Sequence, residues 1–157
     1  MTSPVLAGER ISKKGLDAMN KNTAILKWLL LIGALYFLAV AIAHMLGTKV
    51  PLLFVYFDVP SYGYQDKIIS FLSFGWSAFL FAASLDPVKN RDAVKAILIA
   101  GIGAIFGLNV INSSTDFHAL SPDIRPSVFQ IETLGLSAYV AALIFFYFLS
   151  TRQDTNP

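Results

Sequence analysis

The chain has 157 residues, of which 55% are hydrophobic and only 14% are charged. Soluble domains carry about 25% charged residues, and a soluble domain of this size would expose large apolar patches. The composition therefore predicts a single integral membrane domain over residues 1–157. The absence of cysteine excludes disulfides and thiolate chemistry, and a net charge of +2 gives no indication of nucleic-acid binding.

Four apolar stretches are each long enough to cross the hydrocarbon core of a bilayer, which needs about 20 helical residues. They predict helices over approximately residues 24–46, 67–85, 93–112 and 128–149, with polar tails at 1–22 and 150–157. The predicted fold class is all-α, a four-helix transmembrane bundle with up-down-up-down topology. Asp86–Pro87 is expected to end the second helix, and Ser127 is expected to cap the last one.

The basic residues divide unequally between the two predicted sides of the membrane. Of the 12 Lys and Arg residues, nine lie in the N-terminal region, the connection between helices 2 and 3, or the C-terminal tail. The positive-inside rule therefore predicts an N-in/C-in protein with cytoplasmic tails. A signal peptide ending at Ala41–Ile42–Ala43 is the rival interpretation, but the polar region before it is long for an n-region.

The two outer loops have different characters. The loop between helices 1 and 2, Gly47–Asp66, is long and rich in aromatic residues, and its prolines disfavour a continuous helix. It forms either a cap over the outer end of the bundle or an aromatic interface anchor without a ligand. The second outer loop, Ser114–Pro126, is expected to be free of helix because of its two prolines.

Small and hydroxylated residues form stripes along three of the helices. Ser70, Ser73, Ser77 and Ser84 follow Asp66 at helical spacing on helix 2, which favours helix packing over a polar permeation path. Gly33 on helix 1 would let a neighbouring helix approach closely. The Gly103–Gly107 spacing on helix 3 predicts another close contact, either inside the bundle or with a second copy or partner membrane subunit.

Ionisable residues gather at the predicted outer end. Glu132 lies about 6 Å into the last predicted helix, where an ionisable group is costly unless it pairs or meets water. Its alternative role is a carboxylate favoured by the helix macrodipole. His44 either pairs with Glu132, Asp116 or a ligand oxygen, or is an interface residue at a helix end. Asp66, Asp123 and His118 lie in predicted loops and have ordinary solvated interpretations.

The candidate ligand-binding residues share this outer end of the predicted bundle. They are His44, Tyr56, Asp58, Tyr62, Asn112, Asp116 and Glu132. No HxxxH, ExxH or HxH spacing supports a metal site, and no GxSxG elbow or phosphate-binding loop is present. The sequence therefore nominates no catalytic residue, no metal and no cofactor.

Two features give the chain its layout: a long outer loop with prolines and aromatics, and a polar outer end of helix 3. Their residues are Pro51, Phe54, Asp58 and Pro60 in the loop and Asn109, Asn112 and Asp116 at the helix end. Over most of residues 24–150 this layout resembles the DoxX-like small bacterial membrane proteins. The resemblance implies a four-helix bundle in the bacterial inner membrane and a lipophilic ligand.

These observations favour a small polytopic membrane protein that is non-catalytic or accessory, with an outer-end pocket for a lipophilic ligand or a partner subunit. The alternative is an oxidoreductase- or isomerase-type subunit for a quinone-like or sterol-like substrate, with Glu132 and His44 as a proton pair. A transporter or channel subunit is least favoured, because the cytoplasmic halves of helices 3 and 4 offer no polar path. The hypotheses depend on whether His44, Asp116 and Glu132 converge.

Overall fold

A computed structural model describes residues 21–48, 50, 62–120 and 125–153. The helices are α1 Lys21–Leu46, α2 Tyr62–Leu85, α3 Arg91–Ser114, the short α4 Phe117–Leu120, and α5 Pro126–Gln153. The described ranges contain no strand. All helices except α4 are long and apolar enough to cross a membrane. The predicted all-α four-helix bundle is confirmed.

Successive long helices run antiparallel, as two contacts between α1 and α2 show. His44 near the end of α1 contacts Asp66 near the start of α2, while Ala34 contacts Ser77 further along. α1 packs most extensively against α2, and α5 packs against both α1 and α3. One end of the bundle therefore contains the end of α1, the start of α2, the end of α3 and the start of α5; we call it the His44 end.

Large apolar side chains point away from the bundle along all four long helices. They include Trp28, Ile32, Phe71, Leu72, Ile99, Phe106, Leu134 and Phe148, all of which are more than half exposed. Such a continuous apolar surface is unsuited to water and suits contact with lipid chains. Together with the length and apolar character of the helices, it identifies a small multi-pass membrane protein.

The apolar core lies away from the His44 end. Its most deeply buried side chains are Leu26, Leu30, Leu80, Val94 and Leu143, which come from all four long helices. Lipid chains are as apolar as leucine, so close packing rather than removal from water holds this part of the bundle together.

The serine stripe on α2 is buried, which confirms its role in packing. Ser70, Ser73, Ser77 and Ser84 are each almost fully covered. The Ser77 hydroxyl donates to the Ala34 carbonyl of α1 at 2.8 Å, and the Ser84 hydroxyl donates to Phe81 of its own helix at 2.7 Å. The stripe thus provides a narrow surface on which α1 can lie close to α2.

The connection between α2 and α3 matches the expectation that Asp86–Pro87 ends the second helix. α2 ends at Leu85, and the Lys89 backbone N–H donates to the Asp86 carboxylate at 3.1 Å. This hydrogen bond lowers the pKa of Asp86 below its usual value. The carboxylate therefore stabilises the tight turn that returns the chain to α3.

The helix boundaries differ from the predicted ones at the His44 end. α2 begins at Tyr62 rather than near residue 67, so Asp66 belongs to a helix and not to a solvated loop. α5 begins at Pro126, before the expected cap Ser127, because proline suits a first helical position whose N–H would have no partner. The connection between α3 and α5 was predicted to be free of helix, and this was wrong: it contains α4, where the Asp116 carboxylate accepts from the Ala119 backbone N–H at 3.3 Å.

Candidate functional site

His44 pairs with Asp66, a residue outside the predicted candidate set. The His44 Nδ1 lies 3.0 Å from an Asp66 carboxylate oxygen. The His44 side chain is 5% exposed and that of Asp66 is 18% exposed, so the pair is largely shielded by protein. A histidine–carboxylate contact with so little access to water joins α1 to α2 at the His44 end.

Asn112 joins α3 to α5. Its side-chain amide donates to the Thr133 hydroxyl at 2.9 Å, and the same nitrogen lies 3.5 Å from the Phe129 carbonyl. The Thr133 hydroxyl in turn donates to the Phe129 carbonyl at 2.8 Å. The amide hydrogens of Asn112 are thus directed at α5, and this candidate residue has a structural role between two helices.

Replacement of Asn112 by alanine is expected to lower the free energy of unfolding by roughly 0.5–1.5 kcal/mol, the usual range for a hydrogen bond between membrane helices. The matched control is Asn109→Ala, because Asn109 is exposed and donates only to the Ile105 carbonyl of its own helix at 2.8 Å. Titration with SDS in mixed micelles measures both changes. Equal losses in the two variants would contradict a cross-helix role for Asn112.

Glu132 differs from the other candidates because nothing in the described chain satisfies it. Both carboxylate oxygens are buried by protein, and neither has a hydrogen-bond partner among the described residues. Glu132 lies six residues into α5, about 9 Å along the helix axis from Pro126. The residue as a whole is half-buried, and its carboxyl group is the covered part.

Tyr36 of α1 is the polar neighbour of Glu132. The two side chains are close enough for an electrostatic interaction. The same pair of helices is joined further along, where the Tyr139 hydroxyl donates to the Leu29 carbonyl at 3.0 Å. Tyr36 and Leu29 are separated by the same number of residues as Glu132 and Tyr139, so both contacts fit one antiparallel register of α1 on α5. We call Glu132 together with Tyr36, which faces it across the α1–α5 interface in this register, the Glu132 site.

Neither His44 nor Asp116 is hydrogen-bonded to Glu132. His44 is eight residues beyond Tyr36 on α1, about 12 Å further along the helix axis, and its Nδ1 contacts Asp66. Asp116 is exposed and holds the start of α4. The Phe117 ring stacks on Phe129 with centroids 4.4 Å apart, which fixes α4 against α5.

The remaining predicted candidates belong to the outer loop. Tyr56 and Asp58 lie outside the described residues, and the cap and anchor interpretations of that loop stay predictions. Tyr62 is the first residue of α2. In the described part of the chain, no three His, Asp or Glu side chains are placed to hold a metal ion.

Sequence reasoning missed two partners, Asp66 and Thr133. Asp66 continues the serine stripe one turn before Ser70, so the helical spacing already indicated that α2 extends over it. For Thr133, nothing in the local sequence indicated its contact with Asn112, because Asn112 lies on another helix. Comparison of the chain with family models, with curated proteins and with solved structures finds no match.

Proposed function

We propose that this membrane protein is non-catalytic or accessory, and that its Glu132 site receives the polar head of a lipophilic ligand or a polar group of a partner subunit. The observation that carries the proposal is the pair of buried Glu132 oxygens without a hydrogen-bond partner among the described residues. Buried polar groups in proteins nearly always have partners, and an ionisable residue within a membrane span is by default a candidate for function.

The cost of this arrangement supports a binding role. An unpaired carboxylate in a low-dielectric setting costs several kcal/mol, and even a neutral carboxyl group loses the hydrogen bonds that it would make in water. A ligand or partner group that donates to Glu132 would recover this free energy on binding. The hydrogen bonds that Glu132 lacks in the folded bundle would thus form on binding and contribute to the affinity for the ligand or partner.

The mode of recognition would combine a polar contact with an apolar one. Glu132 and Tyr36 would hold the polar head, while the apolar part of the ligand would lie against the lipid-facing surfaces of the helices. We propose that the His44 end lies on the outer side of a bacterial inner membrane, because six of the eight Lys and Arg residues in the described ranges lie toward the opposite end. The resemblance to DoxX-like proteins stays a hypothesis.

The outward face of α3 is our candidate for contact with a second copy or a partner subunit. A side-chain carbon added at Gly103 or Gly107 would meet no atom within 4 Å, so this glycine pair packs against nothing in the described chain. α3 also buries the smallest share of its residues, 17% against 39% for α1. A GxxxG surface left uncovered in this way suits close approach by another membrane helix.

The alternative function, proton transfer to a quinone-like or sterol-like substrate by a Glu132–His44 pair, has less support. It requires the two side chains to be within direct or one-water hydrogen-bond reach. Glu132 has no hydrogen bond to His44, and the Nδ1 of His44 is bound to Asp66. The geometry favours binding over catalysis by this pair.

The proposal is tested by mass spectrometry of lipids and quinones that co-purify with the wild-type protein and with Glu132→Ala. We expect at least one lipophilic species to be lost from Glu132→Ala, because the polar head of the ligand would no longer find the carboxylate acceptor of Glu132. The control is Gln130→Ala, since Gln130 lies on the same helix and is exposed. Equal retention of every small molecule in all three proteins would overturn the ligand-binding proposal.

A further inference from the structure

We infer that the Glu132 site selects a head group that is a hydrogen-bond-donating cation, such as the ammonium group of a lipophilic amine. The inference rests on the proposed function and adds the chemical class of the ligand. Its basis is a local imbalance: neither Glu132 oxygen accepts a hydrogen bond from a described residue, and the nearby donors with known partners are directed at other acceptors.

Three side-chain donors in the described parts of α3 and α5 are directed at acceptors other than Glu132. On α3, the Asn112 amide donates to Thr133, and on α5 the Thr133 hydroxyl donates to Phe129. The Tyr139 hydroxyl, further along the α1–α5 interface, donates to Leu29. No described residue donates a hydrogen bond to either Glu132 oxygen. The missing component of the site is therefore a donor.

Among the described residues, the basic side chains at the His44 end do not supply this donor. Lys67 and Arg125 are exposed, and His44 contacts Asp66. A ligand with its own positive charge would pair with the carboxylate and donate to both of its oxygens. Hydrogen bonds between charged groups are roughly twice as strong as neutral ones, and exclusion of water strengthens them further.

A neutral carbonyl head would suit the site less well. Quinone and ester groups present acceptors only, so they could engage only the single proton of a neutral Glu132 and would leave the other oxygen without a donor. An ammonium group carries three donors, which is enough for both carboxylate oxygens and a third acceptor such as the Tyr36 hydroxyl. The aromatic ring of Tyr36 is a further group that favours a neighbouring cation.

The test compares two probes with the same hydrocarbon cage, 1-aminoadamantane and 1-adamantanol, on the full chain purified in detergent. Thermal unfolding and isothermal titration calorimetry measure binding. We expect the amine to bind and raise the melting temperature of the wild type, and the alcohol to bind at least tenfold more weakly, because roughly 1.4 kcal/mol corresponds to one tenfold step in Kd. Glu132→Gln should abolish this preference, and Gln130→Ala should retain it.

Two outcomes would overturn the inference. One is equal binding of amine and alcohol to the wild type, and the other is an undiminished preference for the amine in Glu132→Gln. If Glu132→Gln fails to fold, Glu132→Asp serves instead: it keeps the charge, so it should keep the preference for the amine, and loss of the preference would count against the inference. If Glu132→Ala loses a neutral lipid or quinone, and the wild type shows no preference for the amine, the inference is wrong but the proposed function is still supported.

Discussion

Replacement of Gly33 by valine is expected to separate α1 from α5 and to lower the free energy of unfolding by about 2–4 kcal/mol. A side-chain carbon at position 33 would collide with the hydroxyl group of Tyr139. That hydroxyl is held in place because it donates to the Leu29 carbonyl at 3.0 Å. Valine would therefore overpack the interface and break a hydrogen bond between helices. SDS titration in mixed micelles would measure the combined loss of free energy of unfolding.

The matched control is Gly103→Val on α3. It makes the same change in the middle of a membrane helix, but an added carbon at position 103 meets nothing within 4 Å. We expect its stability as a monomer to stay close to that of the wild type. If both valine variants lose the same free energy, the loss comes from the helix backbone and not from contact with Tyr139.

Gly103→Val also tests the proposed contact surface on α3. If a second copy binds there, the variant should be more monomeric than the wild type in detergent, as measured by analytical ultracentrifugation, while its monomer stability is unchanged. An unchanged oligomeric state would contradict self-association through the Gly103–Gly107 face. Gly33→Val should have the opposite profile, with lower monomer stability and an intact α3 surface.

Much of the fold could be predicted from the sequence, because the length of an apolar run is enough to identify a membrane span. The stripe of serines on α2 was also recognised as a packing surface from its spacing alone. The register of the helices could not be predicted. It depends on contacts such as Leu29 with Tyr139, which join distant parts of the chain and carry no local pattern.

The glycines also show what could be predicted from the sequence and what could not. The Gly103–Gly107 spacing was the most conspicuous small-residue pattern, yet it lies on an uncovered face. Close helix contacts within the bundle instead involve Gly33 with Tyr139 and Gly101 with Val140. A motif identifies a surface that permits close approach, but only the arrangement of the bundle determines which helix occupies it.

Only one of the two residues of the Glu132 site, Glu132 itself, was among the predicted candidates, and Tyr36 was not. Glu132 was correctly identified as an ionisable residue within a span, because its depth follows from its position along an apolar helix. The pairing of His44 was missed, since a boundary error had placed Asp66 in a loop. One turn of helix at the start of α2 therefore changed the interpretation of His44, from a free candidate ligand group to the partner of Asp66.

Removal of the His44–Asp66 contact gives the second large expected effect. His44→Ala is expected to lower the free energy of unfolding by about 1.5–3 kcal/mol, because it leaves a mostly buried Asp66 carboxyl group without its histidine partner. The shielding of the pair supports this range, since a contact at a fully solvated surface would contribute far less.

A double-mutant cycle separates the contact from the general cost of truncation. We expect His44→Ala and Asp66→Ala together to cost less than the sum of the two single changes, with a coupling of roughly 0.5–3 kcal/mol. His118→Ala is the control for loss of an imidazole at the same end, because His118 is exposed. Additive single changes would show that His44 and Asp66 are neighbours without a stabilising contact. If the coupling is strong, and the His44→Ala and Asp66→Ala variants retain the same lipids and quinones as the wild type, the His44–Asp66 pair stabilises the fold. The binding role would then belong to the Glu132 site and not to His44.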